Sequence, residues 1–504
     1  MAEPSGSDAA APTAPVQQGK SAPEGTISII PEDIGDDDQS EQPSSSWINE
    51  GGEALEHHLV RKIDLRLCTI AGILCSLNLL DSGVISSASV TSMLSDLDLT
   101  GNRYSVSIFI LTISSIVFQL PSTVAVRTFG PRIWFTVITL MFGLITTCTA
   151  FVQTWKQMIA LRILLGMAMS GIYPGLTYLI STWYLRREQQ LRFALLQSGE
   201  VTILATGSIV NFGLNKLNGR AGLEGWRWMF LVQGLISTTI SFVTYFWMVP
   251  FPDQADPSRF RHFLTSDEHK LAVTRIDHDR QDAIPEPFSW RKILSHVTDL
   301  KIYGFAAMFF LLNLVSTSLS YFLPIILQSG MGFSEDKSIL LSAPPYYYAV
   351  IPVLISSLLG DRLRLRGPII AFNCVCLIMG FCMLGFTSQV TVRYIGTYLA
   401  TGAYVSNWAA ISAYYMNNIA GQWKRAFTAA CVTAFNGAGG VAGAYIVRAE
   451  EAPNYSTAVW VSIGSHIGIL GILGLFSLHF WRCNRNAAGG RALLEGVEGF
   501  RYTF

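Results

Sequence analysis

From Leu67 onward the polar positions are confined to short stretches between long apolar runs. Twelve runs follow one another, at 67–87, 104–126, 133–152, 158–180, 193–214, 228–249, 302–328, 339–360, 368–387, 394–416, 426–447 and 458–481. Each is close to the roughly 20 residues an α-helix needs to cross a bilayer. Hydrocarbon offers backbone groups no partner, so each run is predicted as a helix. Pro174, Pro324, Pro344-Pro345 and the glycines Gly437, Gly439, Gly440 and Gly443 fall inside runs. A bundle tolerates them, because neighbouring helices satisfy the freed groups, and the glycines predict a close helix–helix approach. The stretch 250–301 separates the sixth run from the seventh and is polar. In it, Thr265 followed by Glu268 makes a capping-box pattern, which predicts a surface helix through Arg280.

The predicted fold class is therefore an all-α membrane protein of twelve transmembrane helices in two six-helix halves. Its parts are an acidic tail (1–60), a first half (61–249), a linker (250–301), a second half (302–481) and a second tail (482–504). Such a six-plus-six division predicts two related halves enclosing a path between them.

Composition sharpens this picture. The 504 residues are 50% hydrophobic and 14% charged, against about 25% charged in soluble domains. Basic and acidic residues balance at 35 each, yet residues 1–60 hold twelve acids and one base, Lys20. That tail cannot bury enough apolar surface to offset its ordering entropy and is predicted to be disordered. No uniform basic patch for nucleic acid exists, and the eight cysteines show neither metal nor disulfide-framework spacing. Gly19-Lys20-Ser21 follows no strand, and Ala14 stands where a phosphate-binding loop needs glycine, so no nucleotide site and no cofactor is expected. Lys and Arg near the membrane set the orientation. With the N-terminus inside, seventeen lie on that side and eight opposite, which puts both termini in the cytosol.

The loop after the eighth run reads Gly360-Asp361-Arg362-Leu363-Arg364-Leu365-Arg366-Gly367-Pro368, and the matching place in the first half holds Arg127-Thr128-Phe129-Gly130-Pro131-Arg132. Both resemble the Asp-Arg-x-Gly-Arg loop of the major facilitator superfamily. Asp361, Arg362, Arg127 and Arg132 are thus expected to form a cytosolic gate; the alternative is a positive-inside loop and nothing more. Further motifs follow in order: Arg61-Lys62-Ile63-Asp64-Leu65-Arg66, Leu161-Arg162-Ile163-Leu164-Leu165-Gly166, Gly171-Ile172-Tyr173-Pro174-Gly175, Pro344-Pro345-Tyr346 and Asn417-Asn418-Ile419-Ala420-Gly421. Together with Ala452-Pro453 and Tyr455 they resemble the fungal allantoate and nicotinate permease branch of the anion:cation symporter family. The resemblance implies a proton-coupled carrier of small organic anions at the plasma membrane.

The departures from that branch bear on the site. Its pattern has Asp-Arg late in the first span, where this chain has Asp81-Ser82, and an acid in the fourth span, where it has Met169. One cation and one acid are missing together, which keeps the local charge near neutral and points to a rewired site. Asp81, Arg162 and Glu200 remain deep in apolar runs, where a charge costs about 2.5–3.5 kcal/mol on insertion scales and should find a partner. Asp81 and Glu200 are the candidates for proton coupling; the alternatives are a structural acid bonded to Asn78 or Ser82, and neutralisation of a nearby base. Arg162 belongs to a superfamily motif and reads as structural or as a solute contact. Asn78, Ser82, Met169, Asn313, Tyr321, Tyr346 and Asn407 complete the candidate binding set, with interhelical packing as the alternative for each. His466 reads as structural.

The sequence thus reads as a monomeric secondary carrier in the lipid bilayer, moving a small organic solute by alternating access with protons. Alternative readings are uptake of a small carboxylate, export of a specialised metabolite, or a receptor without flux. No enzyme activity is expected. With Ser82 in place of a cation, small anions should be held weakly.

Overall fold

The computed structural model describes residues 50–99, 101–184, 186–252, 264–280, 296–363, 365–420, 422–489, 494–495 and 500–504. Two units divide the chain: Met1–Glu53, of which only residues 50–53 are described, and Ala54–Phe504, which holds every spanning helix.

Twelve helical spans appear where the apolar runs predict them. The first is Leu55–Ala88, followed by Arg103–Phe129 and Pro131–Thr149. The fourth is made of two pieces, Trp155–Met169 and Ile172–Trp183, broken at Ser170-Gly171. Arg186–Asn215 and Gly225–Trp247 complete the first half. The second half comprises Leu300–Gly330, Ala343–Leu363, Gly367–Phe386, Val390–Asn417, Gln422–Ile446 and Ser456–Ala488. The second and third spans meet at Gly130, whose φ of 83° reverses the chain before Pro131 opens the next helix.

The linker helix Ser266–Arg280 opens on the expected capping box. The Thr265 amide donates to Glu268 Oε2 at 2.8 Å, and the Glu268 amide to Thr265 Oγ1 at 3.3 Å. Glu268 also accepts from Lys62 Nζ at 2.9 Å, and Arg275 donates to Glu56 at 3.1 Å. Burial would raise the Glu268 carboxyl, but its bonds from Thr265 and Lys62 hold it below the usual range. Helix therefore begins at Glu50, ahead of the predicted boundary at residue 60, because Leu59 and Ile63 are buried beneath this contact. At the other end the last helix continues to Ala488, past the predicted 481. The final residues then fold back: Arg366 donates its amide to the Phe504 carbonyl at 2.6 Å, and Tyr502 stacks on Phe480 at 4.4 Å.

An even number of spans puts both ends of Ala54–Phe504 on the side of the linker, and this face is called the linker side below. The buried side chains form two clusters. One stays within the first half, from Leu59 and Leu67 through Phe135 and Ile180 to Phe251 and Leu264 of the linker. The other runs through the second half and continues into Ile85, Leu97, Tyr104, Met158 and Leu204 of the first. Those five sit towards the far side, so the halves share a core there, while the linker-side cluster stays within one half. Helices in lipid gain little from burying one another and depend on close packing. Gly439 and Gly443 of the eleventh span show this, as a side chain on either would strike the backbone of Phe310 or Leu314 in the seventh. Large apolar side chains such as Phe246, Phe372 and Leu475 stand exposed on the outside. In a bilayer they meet lipid tails.

Candidate functional site

The first span carries Cys75, Asn78, Asp81 and Ser82 at helical spacing, so the four share one face. Asp81 is 1% exposed and receives a hydrogen bond from Arg162 Nη1 at 2.7 Å; the arginine is 2% exposed. One oxygen of the acid (Oδ1) and one nitrogen of the base (Nη2) have no protein partner. Tyr104 and Tyr321 lie within reach of this pair's charges, and the Tyr104 hydroxyl donates to the Tyr321 carbonyl at 3.1 Å. This contact crosses from the first half to the second.

Asn78 stands one turn from Cys75 and from Asp81, both buried, yet it is itself exposed. Its exposure is therefore to the interior of the bundle. Tyr173 shows the same: it is 53% exposed, although it neighbours Glu200 and Cys75 of its own half and Trp408 and Tyr415 of the other. The Tyr173 hydroxyl lies beside Trp408, across the boundary between the halves. Glu200, part-buried on the fifth span, has the thiol of Cys75 as its neighbour. Phe309 meets Trp408 and Tyr415 edge-on, both at 5.8 Å, and extends the aromatic wall. Asn78, Glu200, Tyr173, Trp408 and Tyr415 thus line a cleft between the halves.

Apart from the approach of Tyr173 to Trp408 and Tyr415, the polar contacts joining the halves gather on the far side. Gln328 Nε2 donates to the Val90 carbonyl at 3.1 Å, and Asn215 Nδ2 to Glu335 at 2.8 Å and Asp336 at 3.1 Å. Lys216 pairs with Asp336, and Thr206 bonds the Tyr347 hydroxyl at 2.8 Å. Together with the shared far-side core, these bonds close that face.

The expected gate residues are less concentrated. Arg127 lies over the Phe251 ring at 4.9 Å, and Arg132 donates to the Tyr245 carbonyl at 2.5 Å, both partners being at or beyond the end of the sixth span. Arg362 is exposed, and the side chain of Asp361 lies outside the described residues.

A sequence model of the Major Facilitator Superfamily matches residues 71–444. The chain belongs to the Major Facilitator Superfamily. Among curated relatives, it is 27% identical over 447 residues to the MFS-type transporter cnsO of Penicillium expansum, covering 87% of this chain and 86% of that one. It is 28% identical to the high-affinity nicotinic acid transporter of Saccharomyces cerevisiae, covering 82% and 76%. Among solved structures, the xylose transporter XylE of E. coli in a partially occluded inward-open conformation superposes with a TM-score of 0.64 at 13% identity, covering 82% of this chain and 99% of that one. The chain is thus a multi-pass secondary transporter of the superfamily.

Within this superfamily fold the candidate residues separate into three groups. Asp81 and Arg162 are brought together as an ion pair, with Tyr321 beside them. Asn78 and Glu200 face the cleft. The rest sit at helix contacts: Asn313 donates to the Asn436 carbonyl at 2.8 Å, Asn407 to Cys374 Sγ at 3.3 Å, and Tyr346 is buried beside Ser320 and Tyr404. Ser82 turns its hydroxyl to the Leu79 carbonyl of its own helix at 2.7 Å, and Met169 is buried in the first-half core. His466 is fully buried, with Nδ1 3.1 Å from the Ser462 carbonyl. Cys75, Tyr173, Trp408 and Tyr415 were not among the sequence candidates. Cys75 carried a usable signal, since it stands one turn before Asn78 on the same face; the aromatic residues carried none.

Proposed function

We propose that this transporter couples solute movement to protons through Glu200, while Asp81 and Arg162 act as a fixed strut. The observation that carries this reading is the contrast between the two acids. Asp81 is locked to a buried guanidinium, so removing its negative charge would strand a cation; Glu200 is part-buried, and its neighbour on the first span is a thiol rather than a base. A carboxyl that gains and loses a proton within a cycle must reach water and must not be neutralised by a base. Glu200 meets both conditions. The linker side is read as cytosolic from the excess of Lys and Arg near that face, and the plasma membrane from the resemblance to the fungal permease branch. The cleft then opens to the cytosol, and the far-side contacts close the extracellular path.

The solute is a small organic molecule. The yeast relative's nicotinic acid would need a cation in the cleft, and Arg162 is engaged elsewhere. The test is flux in proteoliposomes holding the full chain, with solutes chosen by profiling uptake and efflux of a deletion strain. A pH gradient should drive accumulation, and a protonophore should abolish it. Glu200→Gln should lose uphill transport. Concentrative transport with the proton gradient collapsed would overturn the proposal.

A further inference from the structure

Deepening the Glu200 reading, we infer that the cleft takes an organic monocation with a flat aromatic or apolar body, exchanged one for one against a proton at Glu200. The argument begins with the charges that can reach the cleft. Arg162 is spent on Asp81 at 2.7 Å. The buried Arg393 of the tenth span is held at the far end by the carbonyls of Leu384 and Pro453, both at 2.9 Å. Neither guanidinium is available to a bound anion. Around Glu200 stand the Cys75 thiol on the first span and the Tyr173 hydroxyl on the fourth, with Tyr415 of the tenth beyond. Neither a thiol nor a phenol can carry a positive charge. The cleft therefore offers one carboxylate and no compensating cation among the described residues.

The walls agree with that charge. Trp408, Tyr415 and Tyr173 present three rings from both halves, with the buried Phe309 packed edge-on against two of them. Aromatic faces attract cations, by about 0.5–2 kcal/mol each depending on desolvation, and Trp is the best of them. Asn78 adds an amide able to bond a polar substituent. A carboxylate solute would meet Glu200 as a like charge in a low-dielectric space, which is unfavourable.

One carboxyl cannot hold both a proton and an ion-paired cation. When the cation docks, the Glu200 O–H bond breaks and the proton leaves to water on the open side. When the cation departs, Glu200 takes a proton from water. The charge in the cleft is the same in both states, so either can cross between conformations. The coupling is therefore exchange, with solute and proton moving in opposite directions.

Binding separates this from the alternatives without any need for the natural solute. Full-length carrier in detergent is titrated with benzyltrimethylammonium, benzamide and benzoate, following intrinsic tryptophan fluorescence and, in weak buffer, the release of protons to a pH dye. The cation should bind at least tenfold more tightly than benzoate and release about one proton per carrier. Glu200→Gln should abolish the release and weaken the cation at least tenfold. Trp408→Leu should weaken it about tenfold with the release per bound cation unchanged, which keeps the test open if the first variant fails to fold. Benzoate binding as tightly as the cation, cation binding without proton release, or no cation binding at tenths of molar overturns the inference. If an anion proves to be carried with proton coupling that depends on Glu200, the solute class falls and the coupling role stands. If Glu200→Gln still transports uphill, both fall.

Discussion

Replacing Asp81 by Asn should damage the protein itself before it alters coupling. The change keeps the side chain's size but leaves the Arg162 guanidinium, 2% exposed, without its anion. Two unit charges about 4 Å apart attract by about 4 kcal/mol at an effective dielectric near 20. Removal of one partner from buried pairs costs about 3–5 kcal/mol, so the two routes agree. The residual amide oxygen recovers roughly 1 kcal/mol as a neutral hydrogen bond, which leaves a net loss of about 2–4 kcal/mol. The double variant Asp81→Leu with Arg162→Met removes both charges and both desolvation penalties, and should be more stable than Asp81→Asn alone. The assay is heating of detergent-solubilised protein followed by size-exclusion chromatography, for wild type, Asp81→Asn, Asp81→Leu, Arg162→Met and the double variant. The expected coupling between the sites is positive and above 1.5 kcal/mol. If Asp81→Asn matches wild type within 0.5 kcal/mol while remaining deficient in uphill transport, Asp81 is a proton carrier after all and the strut reading is refuted.

Two further outcomes follow from the ends of the bundle. Glu495 is 2% exposed and is bound by Lys301, by Lys424 at 2.6 Å and by the Tyr502 hydroxyl at 2.6 Å. Burial would raise its carboxyl, but these bonds outweigh it and bring it from 4.5 to about 2. The tail's docking is therefore complete above about pH 4.5 and weakens as pH falls from there towards 2. Glu495→Gln should loosen it at neutral pH by about 1–3 kcal/mol, read as faster hydrogen exchange over residues 500–504. On the far side, Asn215→Cys with Glu335→Cys places two thiols across the halves, where the native side chains meet at 2.8 Å. A short bis-thiol crosslinker should stop transport in the double variant and in neither single one; undiminished flux after complete crosslinking counts against far-side closure.

The fold was legible because the bilayer imposes one requirement on every span, an apolar run of fixed length. The sequence met it twelve times, and the helices cover those runs, with the first, fifth and last extending well beyond them. The capping box was equally local: Thr265 and Glu268 are three residues apart and need no tertiary information. The tails were misjudged for the opposite reason. Leu59 is buried only because the linker helix returns to cover it, and Glu495 is buried only because lysines from two distant helices reach it. The site divides along the same line. The depths of Asp81, Arg162 and Glu200 could be read from the chain, but which charge pairs with which could not. Asp81 and Arg162 are 81 residues apart and meet through the packing of the first and fourth spans. Trp408 and Tyr173 become a wall of one cleft only when the two halves come together.

Under the proposed coupling, that pairing divides the work of alternating access between the two acids. The Asp81–Arg162 pair lies on the closed side, next to the Tyr104–Tyr321 contact that joins the halves. Opening the far side must break that bond and those of Gln328, Asn215 and Thr206. Such bonds contribute about 1 kcal/mol each, and the largely exposed pair of Lys216 with Asp336 adds little. The sum, about 4–5 kcal/mol, is close to the roughly 5.5 kcal/mol that separates a 1:99 from a 99:1 population. A charged and a neutralised cleft can differ by that much through desolvation alone. The state of Glu200 can therefore tip the conformational balance only if the strut beyond it keeps its charge constant. Were Asp81 to titrate as well, the far-side layer would lose its anchor in the same step that is meant to open it in an orderly way. A fixed pair on the closed side and a single exchanging acid in the cleft are two requirements of one mechanism.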